Sequence, residues 1–324
     1  MLWSEPGPAT WKRSCLRKVE NSLNLNLITQ LTYLDSNVTE WIYSFLTNRV
    51  QRTIVDGITS NPIITNTGTP QGCCLSPLLF SIYTNRITSS QSNITVIKYA
   101  DDTCIIGCIG KQSDLNIYFA EIKRISKQCD DLNLLLNPSK TQEMMFSTQR
   151  AKPHTPTLVL NGTNIVLSEK VRYLGVLVDQ NLRFHEHVQS VVTTVSRRMY
   201  IVKNFAYLSS KPLANMLFKS FIMSRIAYCL PTIFTCIYAS DKKAIRRILK
   251  DCSKLGIECQ NIDLYIEKLT KELAIKYIVD NDHFINNFLS QCPSGRYRTI
   301  KYRGAWGRDS FLRHLVNTLN ELLF

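Results

Sequence analysis

Long apolar runs are missing from this sequence. The longest, Ile226–Ala239, is interrupted by Pro231 and falls short of the roughly 20 residues a helix needs to cross a bilayer. The first ten residues contain Pro6, Gly7 and Pro8 and have no apolar centre of the kind a secretory signal carries. Among 11 cysteines there is no Cys-x-x-Cys pair, and no Cys/His group has zinc-ligand spacing, which argues against a zinc module. An odd cysteine count without a signal segment points to reduced thiols and a cytoplasmic or nuclear location. Internal repeats and low-complexity tracts are also absent. The remaining scarcity is of negative charge, with 25 acidic against 39 basic residues and a formal net charge of +14.

What is present is enough apolar material for a sizeable core, 44% hydrophobic residues against 20% charged, in 324 residues. That length and balance fit two domains and exclude wholesale disorder. The basic excess is uneven. Residues 1–150 carry 14 basic and 12 acidic side chains, residues 151–239 carry 10 and 3, and residues 240–324 carry 15 and 10. A cationic C-terminal half calls for a polyanionic partner, and nucleic acid is the first candidate.

Periodicity places the elements. Met1–Arg13 read as an irregular lead-in. Ile28–Leu46 follow helical spacing through Leu31, Leu34, Val38, Ile42 and Phe45. Arg52–Val55 and Ile63–Thr65 read as short strands around the turn signal Asp56-Gly57. Gly68–Gly72 is a loop, followed by a helix with Ser76 as N-cap and Pro77 in its first turn. Ile94–Ala100 and Thr103–Ile106 are strand-forming runs, and Leu115–Leu132 an amphipathic helix. Leu134–Leu136 and Glu143–Phe146 are strands joined by an Asn137-Pro138 turn, and Val171–Val178 a hairpin bent at Gly175. Helical patterns dominate after residue 185.

Asp101 and Asp102 divide two apolar strands. Two crowded carboxylates repel unless something compensates, and a divalent cation is the natural compensation. Oxygen-only ligands suit Mg²⁺, completed by substrate phosphates, and two-metal phosphoryl transfer uses such carboxylates. On Asp-Asp alone, a solvated hairpin turn is the commoner reading. The neighbouring motifs reverse that order. The succession Gly68-Thr69-Pro70-Gln71-Gly72-Cys73-Cys74-Leu75-Ser76-Pro77, Tyr99-Ala100-Asp101-Asp102, Leu136-Asn137-Pro138-Ser139-Lys140-Thr141 and Tyr173-Leu174-Gly175-Val176 resembles the reverse transcriptases of non-LTR, LINE-type retrotransposons of the jockey-like group, over about residues 30–240.

The resemblance implies an α+β right-hand polymerase palm, an antiparallel sheet with packed helices, over residues 1–180. It implies a helical thumb over 181–260 and a basic C-terminal tail with a terminal helix over 261–324. It implies RNA-directed DNA polymerase activity with an RNA template, a DNA primer and deoxynucleoside triphosphates, using Mg²⁺ or Mn²⁺ and no membrane. Asp101 and Asp102 match the metal-binding pair. Gln71 and Gly72 match the loop against template and incoming nucleotide, Tyr99 lies beside nucleotide and primer end, and Lys140 matches a lysine that meets departing pyrophosphate. Leu174-Gly175 matches the hairpin that grips the primer.

The family's palm also carries an upstream Asp, which by spacing should fall near the start of this chain, and residues 1–20 contain none. Asp35 matches the turn before a helix and Asp56 sits in a hairpin turn. With the fingers also lacking, the resemblance implies an N-terminally truncated element, either a weak enzyme or a nucleic-acid-binding remnant. His185 and His187 read as a solvated helix start, and Cys104, Cys108, Cys229, Cys236, Cys252 and Cys259 as small core residues. Pro293–Arg303 interleave bases with aromatics, as a strip that pairs phosphates and stacks bases would. A helix over Asp309–Leu323 should follow.

Overall fold

The computed structural model of the protein describes residues 9–18, 34–66, 68–70, 72–147, 156–208, 211–280, 283–298, 307 and 309–324, with 9–18 and 208 described in backbone only. Two compact units divide it, Met1–Leu174 and Gly175–Phe324.

The first unit is organised around a strand that periodicity does not reveal. Ala9–Lys18 form β1, which over Ala9–Arg13 replaces the irregular lead-in expected up to Arg13. The strand runs Ala-Thr-Trp-Lys-Arg-Ser-Cys-Leu-Arg-Lys, and four basic residues in ten erase the apolar alternation that marks most strands. Ser36–Leu46 form helix α1, capped by Asp35, whose Oδ1 accepts from the Asn37 amide at 2.8 Å. The helical expectation over residues 28–33 falls outside the described residues.

A nested hairpin follows. β2 (Arg49–Gln51) pairs with β5 (Ile63–Thr65), and inside it β3 (Ile54–Val55) pairs with β4 (Ile58–Thr59). The Asp56-Gly57 turn signal is correct, with φ of 50° and 80°, but it closes β3 onto β4 rather than onto 63–65. Val50, Ile54, Val55, Ile58, Ile63 and Ile64 are exposed along it.

α2 (Leu75–Tyr83) comes next, then β6 (Ile94–Tyr99), β7 (Asp102–Cys108) and α3 (Gln112–Asp131). β8 (Leu134–Leu136) and β9 (Gln142–Phe146) flank a one-turn 3-10 helix at Pro138–Lys140. β1 pairs antiparallel with β7 on one side and with β8 and β9 on the other, and β6 pairs β7 at the edge. β6 alternates in exposure, as an edge strand with one wet face should, whereas Thr103, Cys104 and Ile105 of the more central β7 are all buried. Leu79, Tyr83, Ile105, Tyr118, Ile122 and Leu134 belong to one core, which joins α2 and α3 to the sheet. The Tyr83 hydroxyl donates to the Leu132 carbonyl within it. Short strands β10 (Leu158–Leu160), β11 (Thr163–Ile165) and β12 (Lys170–Tyr173) complete the unit.

One ion pair with a buried carboxylate ties α3 to the loop before β6. Glu121 is only 4% exposed. Its carboxylate accepts from Arg124 Nε at 2.9 Å and Nη2 at 2.7 Å, from the Ser90 amide at 2.7 Å, and from the Ser89 and Ser90 hydroxyls at 3.0 Å each. The Arg124 guanidinium, then the Ser90 and Ser89 donors, hold the Glu121 carboxyl down at about 2 against the cost of burial.

The second unit begins with β13 (Val176–Asp179) and is then helical. Asp179 turns the chain into α4 (His185–Leu208), accepting from the Phe184 amide at 2.6 Å. Val188, Val191, Val195, Met199 and Val202 recur at helical spacing and are buried. α5 (Lys211–Leu217) runs into a π-helical turn at Phe218–Met223, and two short helices follow at Ser224–Ala227 and Leu230–Ile233. α6 (Ala239–Ser253) and α7 (Ile262–Val279) close this core. α8 (Phe311–Leu323), capped by Ser310, packs Leu315 and Leu319 against Ala274 and Ile285 in a smaller cluster.

The His-Glu-His segment departs from the solvated helix start expected of it. His187 is 5% exposed, with Nδ1 accepting from the Leu177 amide at 3.4 Å. His185 is half-exposed, and its Nδ1 lies 3.0 Å from both oxygens of the fully buried Asp241, which also accepts from Gln189 Nε2 at 2.8 Å. Tertiary pairing across 56 residues, invisible to local pattern, makes the difference. The cysteines divide as well: Cys104 and Cys252 are core residues, Cys108 is exposed, and Cys229, Cys236 and Cys259 are half-buried.

Candidate active site

The β6–β7 hairpin brings its carboxylates to one end of the central sheet. The ladder pairs Tyr99 with Asp102, leaving Ala100 and Asp101 as the two-residue turn. Ala100 adopts a left-handed φ of 52°, a conformation that costs a residue with a Cβ roughly 1 kcal/mol. That strain sits beside the paired acids. Replacing Ala100 by Gly should therefore hold or raise unfolding stability, by up to about 1 kcal/mol in a urea melt, and a clear loss would argue against the strained turn. Asp101 is exposed, Asp102 is half-buried at the start of β7, and Tyr99 is 65% exposed beside them.

β1 defines what surrounds this tip. Cys15 stands opposite Asp102, Ser14 opposite Thr103, and Arg13 opposite Cys104. On the other side of β1, Arg13 faces Gln142 and Leu16 faces Leu136. The Asn137–Thr141 turn that carries Lys140 spans those two partners. Strand pairing therefore brings Tyr99, Asp101, Asp102 and Lys140 to the same end of one sheet, around β1 residues 13–16. Lys140 is exposed there, on a turn pinned by Asn137 Oδ1, which accepts from the Ser139 hydroxyl at 2.7 Å.

The glycine loop has its own supports. Arg49 Nη2 donates to the Gly68 carbonyl at 2.8 Å and Nε to the Leu46 carbonyl at 3.1 Å, fixing the loop's entry to α1. Ser76 donates to the Pro70 carbonyl rather than acting as the N-cap, a place that Cys74 takes without a side-chain bond. The Ser76 hydroxyl beside the Cys73 thiol, at 3.4 Å, lowers that thiol's pKa. Gly72 has φ of 79°, and a Cβ built there would meet no atom within 4 Å, so its backbone is open to close approach. Gln71 lies outside the described residues. Lys98, next to Tyr99, is pushed down by burial and donates from Nζ to the Thr84 carbonyl at 2.5 Å, tying β6 to the turn after α2.

The donor set at the tip fits a hard divalent cation: two adjacent carboxylates, all-oxygen, on a hairpin held by the sheet. β1 contributes no acidic residue to it, since its ten residues contain neither Asp nor Glu. Among the described residues no group of three or more His, Cys, Asp or Glu side chains comes together as a metal site. The structure thus gathers the sequence-derived pair and shows the neighbour that sequence reading did not, the central strand itself.

A hairpin tipped by paired carboxylates, laid along a central strand and backed by two helices, is the arrangement of a polymerase palm. Residues 13–178 match the family described as reverse transcriptase (RNA-dependent DNA polymerase), and the chain belongs to that family. It is similar to the RNA-directed DNA polymerase from mobile element jockey of Drosophila melanogaster, 25% identical over 176 residues, which is 50% of this chain and 19% of that protein. The jockey polymerase of Drosophila funebris is 27% identical over 169 residues, 49% and 18% of the two chains. The probable RNA-directed DNA polymerase from transposon X-element of Drosophila melanogaster is 28% identical over 151 residues, 44% and 16%. The chain therefore spans about a fifth of the length of the curated relatives it matches.

Proposed function

We propose that this chain is the palm and following helical region of a non-LTR retroelement reverse transcriptase. Its reaction would be RNA-templated transfer of a nucleotide from a deoxynucleoside triphosphate to a primer 3′-hydroxyl. The observation that carries the reading is the β6–β7 hairpin, with Tyr99, Asp101 and Asp102 at its tip, paired to β1 in a family-matched sheet.

In this reading Asp101 and Asp102 hold the divalent cation, Mg²⁺ or Mn²⁺. Bound there, it would neutralise triphosphate charge and favour the ionised 3′-hydroxyl. Gly72 gives the nucleotide a backbone surface without side-chain obstruction, with Gln71 supplying a polar contact. Tyr99 offers an exposed ring beside the primer end. Lys140 supplies positive charge for pyrophosphate on the opposite flank of β1. Residues 181–260 serve as the thumb. There α4 exposes Tyr200 and Tyr207 along with Arg197 and Lys203, a pairing of rings and cations suited to nucleic acid. Residues 261–324 form the basic tail, in which Arg296 lies over the Phe324 ring at 5.3 Å. The aromatic-basic strip beyond residue 298 falls outside the described residues.

The test is cation binding at the hairpin. Titrating Mn²⁺ as a paramagnetic probe should broaden resonances of Tyr99 and its neighbours in the intact protein. Asp101→Asn should weaken that binding on the order of tenfold, and Mg²⁺ should compete. Broadening elsewhere, untouched by Asp101→Asn, would refute the assignment.

A further inference from the structure

We propose that Lys98 is a positioning residue of the candidate active site, an ammonium strut that fixes the carboxylate tip of the β6–β7 hairpin against the end of α2. Its bearing on the cation rests on the palm reading proposed for this hairpin.

Lys98 occupies a place where lysine is out of keeping. β6 alternates, with Ile94 and Val96 turned toward the core and Thr95, Ile97 and Tyr99 toward solvent. Lys98 falls on the core-facing side of that alternation, beside exposed Tyr99. Across the ladder it faces Thr103, as Val96 faces Ile105. Thr103 is buried, and its hydroxyl has no partner among the described residues. The Lys98 ammonium takes a different acceptor, donating from Nζ to the Thr84 carbonyl at 2.5 Å.

That acceptor is itself firmly held. Thr84 closes α2 as its C-cap. Its carbonyl also accepts from the Ile87 amide at 3.0 Å, and its hydroxyl donates to the Phe80 carbonyl at 3.0 Å. Thr84 and Ile87 are both buried. A helix C-terminus is the negative end of the helix dipole, so a cation is favoured there. The glycine loop lies at the opposite end of the same helix. α2 begins at Leu75, and Ser76 in its first turn donates to the Pro70 carbonyl. One helix thus carries the loop at its start and receives the strut from the hairpin at its end.

The link is unfavourable for folding by itself. Burial opposes the charged form and lowers the Lys98 pKa, and the Thr84 carbonyl satisfies one of three N–H donors. A methionine of similar length would fill the place without burying a charge. It would not fix the end of the strand. Beyond Lys98 the hairpin has only the Tyr99–Asp102 ladder pair and a two-residue turn in which Ala100 holds φ of 52°. Tyr99, Asp101 and Asp102 take their positions from that short backbone. Groups that share a ligand need such support from residues outside the site.

The experiment compares the full chain with Lys98→Met and Lys98→Arg. Two measurements without metal decide the matter. The urea midpoint of Lys98→Met should equal or exceed the native one. Amide hydrogen exchange over residues 98–103, followed by NMR under native conditions, should nevertheless speed up on the order of tenfold, with Ile105 and Ile106 unchanged. Lys98→Arg, which keeps the charge and a donor, should recover slow exchange at the tip. Unchanged exchange at the tip in Lys98→Met would overturn the proposal. So would a lowered midpoint with faster exchange throughout the sheet, which would make Lys98 an ordinary structural residue. In the unaltered protein, acetic anhydride should label Lys98 at least roughly tenfold more slowly than exposed Lys127. Equal labelling would overturn the proposal without any variant having to fold. Mn²⁺ titration separates this inference from the palm reading. Lys98→Met should weaken binding at the hairpin by about fivefold or more. Equal affinity in native and Lys98→Met chains would overturn the positioning role. A native chain that binds no Mn²⁺ at the hairpin would refute the palm reading instead, and the exchange rates would still decide whether Lys98 fixes the tip.

Discussion

Given a primer on an RNA template, deoxynucleoside triphosphates and Mg²⁺, the purified chain should extend the primer several orders of magnitude more slowly than a palm with three carboxylates. Two-metal phosphoryl transfer clamps both the attacking and the leaving oxygen, and each metal needs anionic ligands on a rigid support. The hairpin supplies two. β1, the strand beside it, supplies none, and Ser14 and Cys15 occupy the positions facing Thr103 and Asp102. Directly opposed positions in an antiparallel pair lie about 5 Å apart at Cβ, within reach of a shared cation. Ser14→Asp and Cys15→Asp, made separately, should therefore differ. The one on the productive face should raise Mg²⁺-dependent extension on the order of tenfold or more, and Asp101→Asn should cancel the gain. Thr10→Asp, opposite Gly107 at the far end of the strand, should change nothing. Efficient extension by the unaltered chain would show that the third ligand comes from elsewhere.

The second large effect concerns folding rather than chemistry. Glu121→Gln should destabilise the first unit by about 2–3 kcal/mol, measured as a shift in urea midpoint with an unchanged slope. The side chain keeps its volume, but Arg124, the Ser90 amide and two hydroxyls lose an ionic acceptor that is itself buried. The pH dependence has a defined sign. A carboxyl held at about 2 in the folded state, against 4.5 when unfolded, contributes fully above pH 4.5. Its contribution falls away as pH drops toward 2. Between those limits the stability of Glu121→Gln should be flatter with pH than that of the native protein. Parallel curves would place the acid sensitivity in other carboxylates.

Much of the palm could be read from local pattern because its signals are local. Ile94–Tyr99 and Asp102–Cys108 are apolar runs separated by two acids, and two residues suffice to turn a hairpin. The helix through Leu115, Ile122 and Cys129 shows its period openly, and Asn137-Pro138 marks its turn. Asp35 and Asp56, set aside as ligands, are an N-cap and a hairpin turn. What escaped is non-local. β1 carries Lys12, Arg13, Arg17 and Lys18, so nothing in its own residues announces a central strand; its identity comes from partners 80 or more residues away. The burial of His187 and the His185–Asp241 contact arise in the same way. Of the candidate site, residue types and order were legible, whereas the flank opposite Asp102 required the register.

The position of β1 also governs the order in which this sheet comes into being. Ala9 pairs with Phe146 and Lys18 with Leu134, so β1 completes its pairing only once β8 and β9 have been made. On the ribosome, β6, β7 and α3 have short-range contacts and form early. Until β8 and β9 emerge, β1 has only β7 to pair with and its other edge stays open. An unpaired edge of this kind invites pairing with another chain. Four like charges on β1 would oppose the pairing of one copy with another at that edge. The basic residues that hide the strand from pattern reading are thus also of the kind that discourages edge-to-edge pairing.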